Sequence, residues 1–195
     1  MKTQVFFGGA FDPFHLGHAS LIEAAYDYFK GNLTIQLVVT ATSAQDKQFS
    51  LGTYHRIALL EEVVALYDYV TLNLCEFELP APSYSVNTLA FLNQTQPVKY
   101  LLIGEDQWNQ FSSWHQASYL MNQYKILVGR RLQDDKAVKK QTELPIKQPI
   151  YLENALFDCA SSMLKTKELS DWKGKVPGCV LNYVKKHQLL GATYE

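Results

Sequence analysis

A chain of 195 residues with 47% hydrophobic side chains is long enough to bury one core, and its length lies within the range of a single domain. Eighteen Lys and Arg against nineteen Asp and Glu leave a formal charge of −1, which excludes a broad positive field able to hold duplex DNA. Cys75, Cys159 and Cys179 are odd in number and far apart, which excludes a disulfide framework and a thiolate zinc site.

The first apolar run, Gln4–Gly8, reads as a strand. Asp12, His15 and His18 interrupt the apolar start before it reaches signal-peptide or membrane-span length, so no membrane association and a cytoplasmic location are expected. Leu21, Ile22, Ala25 and Phe29 then recur at helical spacing. Further strands are expected at Leu33–Val39, Val70–Leu74, Tyr100–Ile103 and Lys125–Val128, with helices carrying Ile57, Leu60 and Val64, and then Thr88, Leu89 and Leu92, between them. The polar, lysine-rich stretch Arg130–Lys147 lacks periodicity and is expected to be a mobile surface loop or insertion. Ile150-Tyr151-Leu152 is strand-like, and a last helix is expected at Pro177–His187 with Pro177 at its start. This alternation predicts an α/β fold: a doubly wound parallel sheet, one domain over 1–195 with a helical part from about residue 160, and ligands at the carboxyl ends of the strands.

The most informative stretch follows the first strand: Gly8-Gly9-Ala10-Phe11-Asp12-Pro13-Phe14-His15-Leu16-Gly17-His18. Two glycines here are expected to turn the chain tightly and bring bare N–H groups to a ligand, with the following helix N-terminus adding positive character. His15 and His18, three apart, can face the same side and hold one phosphate if the helix has already begun. Taken alone, the same string is also an ordinary Gly-rich turn with capping histidines. There is no GxxxxGK[ST] loop and no GxGxxG fingerprint, so the P-loop and dehydrogenase readings lose their main support. Farther on, Ala160-Ser161-Ser162-Met163-Leu164-Lys165 sets two hydroxyls ahead of a cation, a pattern equally suited to an N-cap and to a pyrophosphate site.

The first string resembles the GGxFDPxHxGH motif of the HxGH-type nucleotidyltransferase superfamily, and its form with His15 is similar to that of nicotinate-nucleotide adenylyltransferases. Other segments support the resemblance over nearly the whole chain. Residues 160–165 look like ISSTxIR, with Ala160 and Lys165 as departures. Pro82–Leu89 resembles the SYTxDTL stretch, with Ser85 replacing threonine. Gly104-Glu105-Asp106 and Trp114 match a GxD and tryptophan pattern, Lys47 and Arg56 a lysine and arginine after the second strand, and residues 176–187 VPxxVxxYIxxH.

The resemblance implies a Rossmann-like nucleotidyltransferase that joins ATP to nicotinate mononucleotide, giving nicotinate adenine dinucleotide and pyrophosphate in NAD biosynthesis. It implies catalytic roles for His18, His15 and Lys47, and phosphate binding by Gly8, Gly9, Ala10, Phe11, His15, His18, Ser161, Ser162 and Lys165. Substrate contacts would come from Asp12, Ser85, Asp106 on a ribose, and Trp114 stacked on the pyridine. No protein metal site is expected; Mg²⁺ would arrive on the nucleotide phosphates. Nucleic acid is not an expected partner, and a homodimer is. His55, His115 and His187 are expected at surface or capping positions. The alternatives are transfer to nicotinamide mononucleotide and, in another class, a non-catalytic nucleotide sensor.

Overall fold

A computed structural model describes residues 2–45, 48–130, 148–153, 164 and 168–189. Six strands, β1 (Thr3–Gly9), β2 (Leu33–Val39), β3 (Val70–Asn73), β4 (Tyr100–Gly104), β5 (Lys125–Gly129) and β6 (Ile150–Leu152), form one sheet. Their order is β3-β2-β1-β4-β5-β6, and every pair is parallel. Helices α1 (Leu16–Tyr28), α2 (Thr53–Val64), α3 (Ser85–Leu92), α4 (Glu105–Trp108), α5 (Ala117–Gln123) and α6 (Gly178–Lys186) connect or follow the strands.

Successive residues of a strand point to opposite faces, and here both faces are dry. Val5, Phe7, Ile35, Leu37, Leu102 and Leu127 join one core with α1, α2 and α6, whereas Phe6, Val38, Leu101, Ile103, Ile126 and Val128 join a second with α3 and α5. That division is why the strands read as unbroken apolar runs. Gln36 is the exception in β2, buried but bonded through its side-chain amide to Gln4, Gln96 and Asn73. Helix α1 stops where Lys30 and Gly31 enter the left-handed region at φ 51° and 77°. Helix α6 has Pro177 as its N-cap residue and His187 as its C-cap residue.

The C-terminal segment joins the first core through Trp172, Val176, Val180 and Val184. It also reaches the start of α1, whose Leu16 N–H donates to the Lys175 carbonyl at 2.8 Å. Among the described residues, no helix is long and apolar enough to cross a membrane. Cys75 and Cys179 are free thiols; burial, reinforced by the Glu76 charge, pushes the Cys75 thiol up to about 11. Cys159 and residues 131–147 of the expected loop lie outside the described residues.

Candidate active site

The strand order reverses direction between β1 and β4, and connections leave their carboxyl ends toward opposite faces. A cleft of about 570 Å³ opens there, lined from one end by residues 8–12 with His15 and His18, and from the other by Tyr84, Ser85, Trp114 and His115.

Gly8 and Gly9 do not make the expected turn: both still pair in β1, opposite Val38 and Val39. Their need for a bare Cα comes from packing. A Cβ on Gly8 would sit 2.6 Å from the Phe6 ring, and one on Gly9 3.0 Å from the Phe11 ring. The turn itself lies one step later, at Phe11, which occupies the left-handed region at φ 48°, and at the cis Asp12-Pro13 bond. Phe11 accepts that conformation while 98% buried (2% exposed), its ring edge-on to Phe7 at 5.4 Å.

His15 is the N-cap residue of α1 and His18 its third helical residue. The rings stack with centroids 3.7 Å apart and planes 24° apart. His15 is 1% exposed, and His18 is further enclosed by Phe11, Phe14 and Phe7 at 5.1, 5.2 and 6.1 Å. The His15 backbone N–H donates to His18 Nδ1 at 3.2 Å. An accepting Nδ1 carries no proton, so the N–H donor of His18 is Nε2. The stack thus gives the helix N-terminus a fixed donor in an apolar collar, a setting suited to an anion.

Asp12, also 1% exposed, spends its carboxylate on the chain: Oδ2 accepts the Ser50 N–H at 2.6 Å and Oδ1 the Leu51 N–H at 2.8 Å. It therefore anchors the segment leading into α2. Arg56, on α2 and fully buried, donates from Nη1 to the Ala10 and Thr40 carbonyls at 3.2 and 2.8 Å, with its guanidinium 3.9 Å from the Phe49 ring centroid. Burial lowers its pKa from the ordinary arginine value, and the Asp12 charge opposes that shift. Arg56 ties the ends of β1 and β2 together behind the end of the cleft that His15 and His18 line.

At the other end, Ser85 is the first residue of α3, after the N-cap residue Tyr84. Ser83 exchanges two hydrogen bonds with Thr42, its N–H to the Thr42 carbonyl at 3.0 Å and its Oγ from the Thr42 N–H at 3.2 Å. Asp106 lies in α4 beside Gly104, where a Cβ would meet Asp106 Oδ1 at 2.7 Å, and its Oδ2 accepts from Gln107 at 3.3 Å. Trp114 is half-buried, with its ring 5.1 Å from that of Phe111.

The structure thus brings Gly8, Gly9, Ala10, Phe11, Asp12, His15, His18, Ser85, Asp106 and Trp114 to one cleft. Lys47, Ala160, Ser161, Ser162 and Lys165 lie outside the described residues. Glu76, Arg130 and His115 are among the lining residues that were not expected as site residues. Glu76, 5% exposed, accepts from Thr88 Oγ1 at 2.8 Å and from the Ala41 N–H at 3.4 Å. Arg130 follows β5, with its guanidinium 5.6 Å from the Tyr151 ring centroid. His115 is exposed, as expected, but its surface is the rim of the cleft, where it stacks on Tyr84 because the turn after Trp114 carries it there. His55 is paired with the Tyr183 hydroxyl at 3.1 Å, away from the cleft. Among the described residues, no three His, Cys, Asp or Glu side chains gather to hold a metal ion.

Residues 6–170 match the family described as Cytidylyltransferase-like. A protein of Bacteroides thetaiotaomicron named as a probable nicotinate-nucleotide adenylyltransferase is 32% identical over 133 residues, which are 67% of this chain and 65% of that protein. One of the same name from Staphylococcus epidermidis is 25% identical over 97% of this chain and 98% of its own. The fold is similar to that of the Plasmodium falciparum nicotinic acid mononucleotide adenylyltransferase complexed with NaAD, with a TM-score of 0.71 and 17% identity over 97% of both chains. With that sheet, that histidine pair and these matches, the chain belongs to the cytidylyltransferase-like nucleotidyltransferases, in the nicotinate-nucleotide adenylyltransferase family.

Proposed function

We propose that this chain is a cytoplasmic enzyme that transfers the adenylyl group of ATP to nicotinate mononucleotide. The observation that carries the reading is the stacked His15–His18 pair at the start of α1, facing a cleft whose far end is aromatic. One end suits phosphates and the other a flat ring. The 5′-phosphate oxygen of the mononucleotide attacks the α-phosphorus in line. A new P–O bond forms, the bond from the α-phosphorus to the bridging oxygen breaks, and its electron pair leaves with pyrophosphate. No covalent enzyme intermediate is involved.

His18 Nε2–H donates to an oxygen of the transferred group as its charge redistributes, and His15 holds the ring that delivers it. Asp12 and Arg56 keep the turn and strand ends in place around them. Trp114 offers its face to the pyridine, and Asp106 accepts from a ribose hydroxyl. Lys47 neutralises the approaching phosphates, and Ser161, Ser162 and Lys165 hold the departing pyrophosphate, roles supported by the motif resemblance alone. ATP would carry Mg²⁺ on its phosphate oxygens, which would screen their charge.

The test is to incubate the enzyme with ATP, Mg²⁺ and either nicotinate or nicotinamide mononucleotide, and to identify the product by mass. Formation of nicotinate adenine dinucleotide in preference to the amide product supports the reading. Preference for the amide would move the assignment to a nicotinamide-mononucleotide enzyme, and no product with either would sink it.

A further inference from the structure

His115 reaches the cleft from the turn that follows Trp114, and its imidazole stacks on Tyr84 with centroids 4.3 Å and planes 27° apart. Because Tyr84 is the N-cap residue of α3, the stack bridges the two sides of the aromatic end: the helix start with Ser85, and the turn with Trp114. His115 is exposed to solvent there, with Nε2 at 3.4 Å from the Gln116 side-chain nitrogen. Of the described charged side chains along the cleft, Glu76 and Asp106 disfavour a second negative charge in it, Asp12 is offset by Arg56, and Arg130 is the one cation in the lining, at the end that follows β5. Preference for an acid over an amide at this end therefore requires a donor close by.

We propose that His115 is a specificity-determining residue, whose imidazole N–H, steered by the Tyr84 stack, favours a carboxylate over a carboxamide on a pyridine held beside Trp114. A carboxylate accepts through either oxygen and carries full charge. A carboxamide offers one acceptor and turns its own NH₂ toward the donor in the other orientation. The inference rests on the proposed function and deepens it.

The test compares kcat/KM for nicotinate and nicotinamide mononucleotides in the wild type, His115→Phe and His115→Ala. Phenylalanine keeps a flat ring for Tyr84 and removes both nitrogens, while alanine removes the stack as well. The expected result in His115→Phe is a fall of about fivefold in the acid-to-amide ratio, carried by KM for the acid, with kcat/KM for the amide held. In His115→Ala both substrates lose kcat/KM and the ratio falls equally. An unchanged ratio in His115→Phe, or an equal loss for both substrates in that variant, would overturn the inference while leaving the proposed function intact. A wild type that turns over neither substrate would overturn both.

Discussion

Because the His15 N–H occupies Nδ1 of His18, the two nitrogens of that ring are separated, Nδ1 in capping the helix and Nε2 in the proposed chemistry. His18→Asn separates them: the asparagine oxygen still reaches the His15 N–H, but nothing stands where Nε2 was. We expect kcat to fall about 100-fold with the melting temperature little changed, which steady-state kinetics and a thermal melt check together. Gly8 sets the opposite expectation. Its missing Cβ makes room for the Phe6 ring, which is 1% exposed and has no free direction to move. Gly8→Ala should therefore cost roughly 1–3 kcal/mol of stability, read from urea unfolding. The two glycines were visible in the sequence, but their reason was not. A local rule sees glycine after a strand and expects a turn; the packing of Phe6 and Phe11 across the bare backbone is tertiary.

At the scale of elements, the cleft is held open by ties between strand ends and the helix that follows. Arg56 carries α2 to both Ala10 and Thr40, and Glu76 links Thr88 of α3 to the Ala41 N–H. Lysine at 56 supplies one ammonium where a planar fork serves two carbonyls and stacks on Phe49. Arg56→Lys is expected to lose roughly 2 kcal/mol of stability and, under the proposed function, to raise KM for ATP, since the Ala10 segment lines the cleft beside His15 and His18. A variant of wild-type stability and KM would show that the tie is dispensable. The strands and most helices were legible because parallel strands buried on both faces give unbroken apolar runs. Glu76, Arg130 and His115 were not, since each reaches the cleft only because the sheet order brings the ends of β3, β5 and the turn before α5 together. Spacing along the chain carries no record of that.

In the whole molecule, the sheet order places β1 and β4 side by side with their connections diverging, and the cleft follows from that topology. The C-terminal segment closes on the same core and caps the first N–H of α1 through Lys175, so the helix that carries His18 is also positioned by a segment far along the chain. The measurement that bears most directly on the central claim follows the label of ATP marked at its α-phosphate, with nicotinate mononucleotide as acceptor. The account predicts that all transferred label appears in the dinucleotide and none in pyrophosphate or on the protein, with the transfer about 100-fold slower in His18→Asn. Label left in ATP, or found bound to the protein, would contradict direct adenylyl transfer.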